Sequence, residues 1–247
     1  MNLNASKILI TGGARGIGLE LSKQLIEKGA SIVAVGRSLD SLEALKVAYP
    51  DRVAVYQADL SQSREVDALL KTVATVHPDI NVLINNAAVQ FEMDVFSEDN
   101  ARLIELARRE IDLNLSALVA LTIGFLPILR VHKASAIVNI GSGLALAPKA
   151  ASPTYCGTKA ALRSFTKALR YQCQSSAPHI HVCEAIMALV ETDMTAGRGS
   201  GKITAAQAAN EVLAGLERER AEVWVEKAKT LRILNRLSPA IAERIMR

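Results

Sequence analysis

A tyrosine and a lysine four residues apart, Tyr155 and Lys159, have the types and the spacing that proton transfer needs. Residues i and i+4 share one face of a helix, so the Lys159 amine can lie near the Tyr155 hydroxyl. A free tyrosine has a pKa of about 10 and is a poor base near neutral pH. Because nearby positive charge favours the phenolate, Tyr155 could take a proton from an alcohol or give one to a carbonyl oxygen.

A serine extends this arrangement, because Ser142 follows the fifth predicted strand and could hydrogen-bond the same substrate oxygen. Alone, a tyrosine and a lysine at this spacing would usually be a surface pair. Here the pair comes after the fifth strand of a pattern that binds dinucleotides, which favours the chemical interpretation. The neighbouring Cys156 is expected to point elsewhere on the helix and has no predicted catalytic role.

A glycine-rich turn follows the first predicted strand. Its residues are Thr11, Gly12, Gly13, Ala14, Arg15, Gly16, Ile17 and Gly18. Glycines let the chain turn tightly and let a pyrophosphate approach the backbone. The helix that follows directs its unpaired N–H groups and its positive dipole end at the phosphates. Because the turn joins a strand to a helix, it predicts a dinucleotide site rather than an ordinary glycine turn.

The end of the second predicted strand indicates which nicotinamide cofactor is bound. An acidic residue there would bond the ribose 2′-hydroxyl and repel a 2′-phosphate. The strand instead runs into Arg37 and Ser38, which can pair with a phosphate and donate to it, and Arg15 could approach from the other side. We therefore predict NADP(H); the alternative for Arg37 is a solvated loop cation. The oxidised nicotinamide of this cofactor would add positive charge near Tyr155.

Two further strand ends carry expected cofactor contacts. Asp59 and Leu60 follow the third predicted strand, where the adenine ring would lie. Asn86 and Ala87 follow the fourth, near the point where the strand order reverses and ligands bind. For Asn85 we expect a structural role, with its side chain bonded to the backbone of neighbouring strands.

The elements that must position these residues alternate between short β-branched runs and longer helical patterns. The predicted strands are 8–10, 31–35, 53–56, 82–84, 136–140, 180–186 and 222–225, and the predicted helices are 16–28, 40–48, 61–76, 98–131, 152–173 and 205–218, with Ser61 capping the third. This order predicts a Rossmann-type fold: a doubly wound, parallel, seven-stranded sheet in a three-layer α/β/α sandwich. No linker or repeat interrupts it, so we predict one domain, 1–247.

The tail, 227–247, is predicted to be a helical extension, broken at Ser238-Pro239. Its apolar residues form a stripe on a basic helix: Leu234, Leu237, Ile241 and Ile245. We expect this stripe to pack on the body or on a neighbouring subunit. A membrane-surface role is the alternative.

Composition narrows the class of protein. Half of the 247 residues are apolar and only 4% are aromatic, which fits buried parallel strands and excludes a disordered chain. Three unpaired cysteines and no metal-ligand spacing predict neither disulfides nor a metal site; His179 and His181 are expected to pack on a strand. The net charge of +4 is too small to predict nucleic-acid binding. The sequence has no signal-peptide pattern and its longest apolar stretch, 117–129, is shorter than a membrane span, so we expect a cytoplasmic protein.

Together these motifs resemble the short-chain dehydrogenase/reductase family along nearly the whole chain. The matching residues are Thr11, Gly12, Gly16, Gly18, Asp59, Asn85, Asn86, Ala87, Asn114, Ser142, Tyr155, Lys159 and Thr192. The runs 142–145, 169–172 and 231–239 are most similar to the DltE-type oxidoreductases of that family.

The resemblance implies roles for individual residues. Tyr155 would be the acid/base, Lys159 would also hold the nicotinamide ribose, and Ser142 would orient the substrate carbonyl. Asn114 would anchor a water that leads protons from Lys159 to solvent. Val190 and Thr192 would touch the nicotinamide amide and the phosphate.

The expected activity is therefore reversible hydride transfer between NADP(H) and a ketone or secondary alcohol. The alternatives are a 3-oxoacyl-thioester reductase, marked by a basic patch for an acyl carrier, and a non-catalytic NADP(H) sensor. Family members usually form dimers or tetramers through the helices at 98–131 and 153–173, so we expect a homo-oligomer.

The sequence departs from the family pattern at three places. Met187-Ala188 stand where Pro-Gly is common, and Ala88 replaces a glycine. The segment 195–204, from which the family's substrate lid grows, is short and glycine-rich. We expect a small lid over an open pocket that is lined by 91–96, 144–149 and 194–201 and accepts bulky, apolar substrates.

Overall fold

Short aliphatic and β-branched runs form the strands of the structure, a computed structural model that describes residues 1–96 and 99–246. The strands are β1 (Lys7–Thr11), β2 (Ser31–Gly36), β3 (Val53–Gln57), β4 (Val82–Asn85), β5 (Ser135–Ser142), β6 (Ile180–Met187), β7 (Val190–Glu191), β8 (Ile203–Thr204) and β9 (Glu222–Trp224). Seven of them form one parallel sheet, and β7 and β8 pair separately.

The main sheet has the order β3-β2-β1-β4-β5-β6-β9. The chain builds outward from β1 to β3, returns to the other side of β1 with β4, and then continues outward to β9. The order therefore reverses between β1 and β4, which opens a crevice at the carboxyl ends of these two strands. The predicted doubly wound, seven-stranded sheet is confirmed.

Helices cover both faces of the sheet. They are α1 (Gly16–Glu27), α2 (Leu39–Ala48), α3 (Ser63–Val76), α4 (Asn100–Ile111), α5 (Ala117–Leu129), α6 (Pro153–Ser176), α7 (Ala205–Glu217), α8 (Ala228–Leu237) and α9 (Pro239–Met246). Successive strand residues point to opposite faces, so Ile8 and Ile10 pack with α1, α2 and α7, whereas Leu9 packs with α3, α5 and α6. Both faces are apolar, as a parallel sheet between two helical layers requires.

The predicted helix 98–131 is interrupted in the structure. Its first residue, Glu98, lies outside the described residues, and one turn of π-helix, Asp112–Ser116, separates α4 from α5. A π-turn inserts one extra residue into a helix, which is a frequent device at functional sites. The periodicity of the sequence does not show it, because one extra residue barely disturbs the apolar pattern.

One local prediction was wrong, and one small element was not predicted. Gln62, not Ser61, is the N-cap residue of α3, because the Ser61 hydroxyl donates to the Asp59 carboxylate (2.8 Å) and its backbone N–H donates to the same oxygen (3.0 Å). The small sheet of β7 and β8 was not predicted, since two-residue strands carry no measurable pattern.

The helical tail breaks at Ser238-Pro239 as predicted. In the predicted stripe, Leu237 and Ile241 are 78% and 53% exposed, so these two side chains do not pack on the body of this chain. Ala228 and Ala242 are buried instead, and Leu231 lies against Gly143, where a Cβ atom would come within 2.8 Å of its Cδ2. The side chain of Ile245 lies outside the described part of the tail.

The helical stretch Asn100–Leu129 is long and apolar enough to cross a membrane. Core helices of water-soluble folds pass the same test. In α5 the side chains of Leu121, Phe125 and Leu129 are almost completely buried against the sheet, so the apolar face belongs to the helical layer.

Candidate active site

The glycine turn lies at the crevice, between the end of β1 and the start of α1. Gly12 and Gly16 have φ angles of +66° and +50°, which favour glycine. The N-cap residue of α1 is the exposed Arg15, whose side chain makes no capping hydrogen bond. The first N–H groups of the helix therefore remain available to an anion.

Gly18 is a glycine because there is no space for a side chain. A Cβ atom there would lie 2.1 Å from the carbonyl oxygen of Gly12 and 2.6 Å from Nδ2 of Asn86. A Cβ at Gly16 would come within 3.2 Å of the Thr192 methyl carbon. The structure thus brings Thr192, expected to touch a phosphate, to the start of α1.

Hydrogen bonds hold the turn in place. Thr11 Oγ1 accepts from the backbone N–H groups of Asn86 (2.9 Å) and Ala87 (3.0 Å). Asn86 Nδ2 donates to the carbonyls of Thr11 (2.9 Å) and Gly12 (3.3 Å). Ser22, which the sequence did not single out, donates to the carbonyl of Gly13 (2.8 Å). Thr11 and Asn86 therefore fix the shape of the turn.

Arg37 and Ser38 lie at the carboxyl end of β2. Arg37 is exposed, and Ser38 is the N-cap residue of α2, where its Oγ accepts from the N–H of Ser41. Burial raises the pKa of Asp59, but hydrogen bonds from Ser61 and the charge of Arg37 outweigh it, so the pKa lies below its usual value. The end of β2 is therefore followed by a cation, Arg37, and a hydroxyl, Ser38, and β2 itself contains no acidic residue.

The remaining predicted cofactor residues have apolar side chains that pack in or against the hydrophobic core. Ala14, Leu60 and Val190 are buried, and Ile17 and Ala87 are partly buried.

The three predicted proton-transfer side chains meet at the end of β5. Ser142 is the last residue of β5, and its side chain lies near that of Tyr155 in the first turn of α6. Lys159 Nζ lies 5.6 Å from the centre of the Tyr155 ring and donates to the carbonyl of Ile140 (2.8 Å). Ser142, Tyr155 and Lys159 are all at least 90% buried.

Asn114 lies in the π-turn and is also buried. Its Nδ2 donates to the carbonyl of Val89 (2.8 Å) and to Oγ1 of Thr158 (3.3 Å), and its Oδ1 accepts from the N–H of Val89 (2.9 Å). Both amide hydrogens are therefore used to hold the segment after β4 against α6. Thr158 directly precedes Lys159 in α6, so this hydrogen bond links Asn114 to the helical turn that carries Lys159.

The pKa of Tyr155 differs from the sequence-based expectation, in which nearby positive charge favours the phenolate. Burial raises the pKa of Tyr155 to about 12, although the nearby Ser142 hydroxyl opposes the shift. Burial also lowers the pKa of Lys159 to about 8, against the attraction of Glu184 and Glu110. In the chain alone, desolvation outweighs the nearby ammonium. The protein thus holds Tyr155 as the neutral phenol, which is the proton-donating form.

The prediction for Asn85 was right about its structural nature and wrong about its partners. Asn85 Nδ2 donates to Oδ1 of Asn139 (2.9 Å) and to Oγ1 of Thr122 (3.0 Å), which are side-chain rather than backbone atoms. Asn139 in turn donates to Oγ1 of Thr166 on α6 (2.9 Å). This buried network joins β4, β5, α5 and α6 directly below the site.

Three loops border the site. They are the segment after β4, the segment after the 3₁₀ turn Gly143–Ala145, and the segment between β7 and β8. Glu92, in the first loop, pairs with Lys149 in the second (2.9 Å) and with Arg198 in the third (3.7 Å). Phe91 is held by a hydrogen bond from its N–H to the buried Glu110 (2.9 Å).

The third loop is short, as predicted, but it is attached at several points. Thr192 and Thr195 cap each other, Lys202 donates to the carbonyl of Thr195, and Lys227 Nζ donates to that of Gly201 (2.8 Å). Its glycines at 197, 199 and 201 all have positive φ angles.

The sequence did not identify an ion cluster behind Lys159. Glu184 on β6 is 2% exposed, and its Oε2 lies 2.6 Å from Nη1 of Arg163 on α6. Arg163 Nη2 pairs with Glu222 on β9 (2.9 Å), and its guanidinium stacks on Trp224. The sequence does not show this cluster, because it depends on the register of β6 with β9 and on the packing of α6, which are distant along the chain.

The other candidate residues are structural. The Cys156 thiol interacts with the backbone of Lys149, away from Tyr155. His179 and His181 bond different carbonyls, those of Arg130 and Arg220. Within 1–96 and 99–246, no group of three or more His, Cys, Asp or Glu side chains could hold a metal ion.

Comparisons with known proteins agree with this geometry. The family model for short chain dehydrogenases matches residues 6–203. The chain is 35% identical over 238 residues to the uncharacterized oxidoreductase DltE of Bacillus subtilis, covering 94% of this chain and 92% of that protein. It is 28% identical over 173 residues to the NADP-dependent 3-hydroxy acid dehydrogenase YdfG of Salmonella typhi, covering 70% and 68%.

Solved structures share the fold. A short chain dehydrogenase from Burkholderia cenocepacia, in complex with NADP, superposes with a TM-score of 0.87 at 24% identity, covering 100% of this chain and 99% of that one. One from Sphingobium yanoikuyae, in complex with NADPH, gives 0.80 at 24% identity, covering 96% and 95%. The family match, the DltE relationship and the buried Ser142, Tyr155 and Lys159 lead to one conclusion: the chain is an oxidoreductase of the short-chain dehydrogenase/reductase family, acting on CH–OH donors.

Proposed function

We propose that this protein is an NADP(H)-dependent carbonyl reductase or alcohol dehydrogenase that acts on a ketone or secondary alcohol. The observation that carries the proposal is the meeting of Ser142, Tyr155 and Lys159 at the end of β5, beside a crevice lined by a glycine turn. A proton donor and a dinucleotide site that share one crevice are the two parts that hydride transfer to a carbonyl requires.

The residues at the crevice fit NADP(H). The uncapped start of α1 and the glycine turn, in which Gly12 packs directly against Gly18, suit a pyrophosphate close to the backbone. Arg37 and Ser38, with no acid at the end of β2, suit a 2′-phosphate. The two solved structures that share the fold were obtained with NADP or NADPH, which supports the same assignment. Lys159 would hold the nicotinamide ribose, and Val190 and Thr192 would contact the amide and the phosphate.

NADPH, when bound, supplies the hydride. Ser142 and Tyr155 present two hydroxyls to the carbonyl oxygen of the substrate, which holds the carbonyl in place and stabilises charge that develops on its oxygen. Tyr155 then donates its proton to this oxygen, and a pKa of about 12 in the protein alone keeps that proton in place beforehand. In the oxidation direction Tyr155 first releases its phenol proton through Lys159, and the resulting phenolate accepts the proton of the alcohol.

Lys159 resupplies the proton. Its ammonium lies beside the Tyr155 ring, and a pKa of about 8 lets it release a proton near neutral pH. Asn114 would anchor the water that connects Lys159 to solvent. Because both its amide hydrogens are bonded to Val89 and Thr158, its main-chain carbonyl is the group left for this task.

The test is fluorescence titration of the protein with NADPH and with NADH, followed by a panel of ketones and aldehydes in which NADPH oxidation is monitored. We expect tight NADPH binding and turnover that is lost in Tyr155→Phe. Tight binding without turnover on any carbonyl or alcohol would favour a non-catalytic NADP(H) sensor. A preference for NADH would contradict the cofactor assignment.

A second candidate, a 3-oxoacyl-thioester reductase, is favoured by one feature. A groove of about 410 Å³ along α8 is lined by basic and apolar side chains: Trp224, Lys229, Arg232, Ile233, Arg236 and Leu237. An acyl carrier presents acidic helices and an acyl chain, which such a surface would complement. Acetoacetyl groups on an acyl carrier protein should then react faster than the free thioester, and Arg236→Ala should remove this advantage.

We further propose a cytoplasmic homodimer or homotetramer. Ile104, Ile111 and Ile123 lie on α4 and α5 and are 41–58% exposed, so this helical face carries apolar surface that a second copy could cover. Light scattering coupled to gel filtration measures the mass directly, and a monomer at micromolar concentration would contradict the proposal.

A further inference from the structure

The neighbourhood of Lys159 contains a charge that the proton-transfer scheme has not used. Lys159 and Arg163 are four residues apart on α6 and face the same side of the sheet. Glu184 of β6 lies under this side, because it is in register with Asn139 of β5, whose amide also bonds α6. A carboxylate, an ammonium and a guanidinium thus share one buried layer between the sheet and α6.

The lack of a side chain at Gly141 leaves room for the Glu184 carboxylate. A Cβ atom on Gly141 would lie only 2.6 Å from Oε1 of Glu184. Gly141 adjoins Ile140, whose carbonyl accepts the hydrogen bond from Lys159 Nζ, and it precedes Ser142. The Glu184 carboxylate therefore lies beside the strand end that carries both the lysine's acceptor and the substrate-binding serine.

The two carboxylate oxygens of Glu184 differ in their contacts. Oε2 pairs with Arg163, whereas Oε1 is buried and has no hydrogen-bond partner among the described residues. A buried carboxylate oxygen without a partner is costly, so a purely structural ion pair would be expected to satisfy both oxygens. The free oxygen is the one next to Gly141.

We propose that Glu184 is a positioning residue: it is the buried counter-charge that keeps Lys159 protonated during turnover, and Gly141 is required because only glycine leaves room for its carboxylate. The inference rests on the proposed function, in which Lys159 resupplies the proton. Arg163 holds Glu184 in place from α6, and Glu222 with Trp224 holds Arg163 from β9.

The charges around both groups are consistent with this role. Burial lowers the pKa of Lys159, and Glu184 is the main group that opposes the shift, with Glu110 of α4 acting in the same direction. Burial raises the pKa of Glu184 to about 7; Arg163 and Arg170 of α6 oppose that rise, and Glu222 adds to it. The carboxylate is thus ionised in the upper neutral range, where Lys159 begins to lose its proton.

The direct test measures the pKa of Lys159 without any turnover. The full chain is labelled with ¹³C-lysine, and the ε-methylene resonance of Lys159 is identified by its loss in Lys159→Arg. We expect a pKa of about 8 in the wild type. In Glu184→Gln the pKa should fall by about one unit or more, which is a tenfold change in the protonation equilibrium.

Glu222→Gln is the matched control. It removes one negative charge from the same cluster but leaves the contact between Glu184 and Arg163 in place, and Glu222 is partly exposed to solvent. We expect the Lys159 pKa to change by less than about 0.3 unit, because solvent screens this charge. An unchanged pKa in Glu184→Gln, or an equal fall in both variants, would overturn the proposal.

A second variant covers the case in which Glu184→Gln does not fold. Gly141→Ala keeps every charge but displaces the carboxylate, so it should move the Lys159 pKa by about half a unit or more. Circular dichroism establishes that each variant is folded. A folded Gly141→Ala with the wild-type Lys159 pKa would contradict the proposed geometry.

The kinetic readout separates this inference from the proposed function. In carbonyl reduction, the loss of activity at high pH should begin at lower pH in Glu184→Gln, by the same shift as the Lys159 pKa. If the wild type reduces no carbonyl, the proposed function fails while the lysine titration still decides the role of Glu184. If the wild type is active and the pH profile of Glu184→Gln is unchanged, the inference fails alone.

Discussion

Replacing Gly18 with alanine is expected to weaken NADPH binding strongly while leaving the protein folded. The added Cβ would lie 2.1 Å from the Gly12 carbonyl oxygen, about 1.3 Å short of the 3.4 Å at which ordinary contact begins. The second clash, 2.6 Å from Asn86 Nδ2, falls on the amide that bonds the same carbonyl. The substitution must therefore move the glycine turn itself.

The magnitude follows from two opposing effects. Overpacking of this size costs ~1–3 kcal/mol, whereas replacing a helical glycine by alanine gains ~0.5–1 kcal/mol. The net loss of up to about 2.5 kcal/mol lowers Tm by at most about 10 °C in a chain of this length. Loss of one or two charge-assisted hydrogen bonds from the displaced turn costs ~1.5–3 kcal/mol each, so Kd for NADPH should rise at least about tenfold.

Gly157→Ala is the matched control. Gly157 also lies within a helix, α6, and a Cβ there would meet no atom within 4 Å. It should raise Tm by about 2–4 °C through helix propensity and leave the NADPH Kd unchanged. The assays are thermal unfolding and fluorescence titration. Wild-type NADPH affinity in Gly18→Ala would refute the reasoning that the turn must keep its present shape.

Three further predictions concern the charged and titrating residues. Tyr155→Phe should lower kcat for carbonyl reduction by at least about a hundredfold, the usual contribution of a general acid, and change the NADPH Kd less than about threefold; retained turnover would contradict the role of Tyr155. Arg37→Ala should weaken NADPH binding by about ten- to a hundredfold and NADH binding hardly at all, so equal losses for both cofactors in paired titrations would disprove a 2′-phosphate contact. Lys159→Met should remove activity but stabilise the fold at pH 7. The folded-state pKa of Lys159, about 8, lies below its usual 10.5, so burying the ammonium costs roughly 3 kcal/mol below pH 8, and this cost disappears as the pH rises from 8 to 10.5. After about 1 kcal/mol for the carbonyl of Ile140 left without its donor, the expected rise in Tm is roughly 4–8 °C at pH 7 and smaller at pH 9.5, and a variant no more stable than the wild type would show that the buried charge is not costly.

The sequence predicted the fold well because its strongest signals are local. Glycines at 12, 16 and 18 mark a turn whose backbone admits no side chain, and the alternation of strands with helices leaves few topologies. The same local signals located Tyr155, Lys159 and Ser142, because each lies at a strand end or a helix start.

Quantities that depend on packing were not predictable. The Tyr155 pKa shifts upward because the side chain is desolvated, and the sequence contains only its neighbours, not its burial. Strand register places Glu184 beside the end of β5, and Asn85 bonds Asn139 and Thr122 because three elements meet there. Such contacts join residues that are tens of positions apart and have no spacing rule.

Ionic strength and pH are expected to affect different steps of this enzyme, because the ion pairs of Glu92 are partly exposed whereas Tyr155 and Lys159 are buried. Glu92, Lys149 and Arg198 are 29–47% exposed, and they join the three loops proposed to enclose the substrate. Salt at 0.1 M screens exposed charges beyond about 10 Å and weakens such pairs, whereas it hardly reaches Tyr155 and Lys159. Ionic strength should therefore change KM, by loosening the entrance, and pH should change kcat. We therefore expect substrate entry to respond to ionic strength and proton transfer to respond to pH.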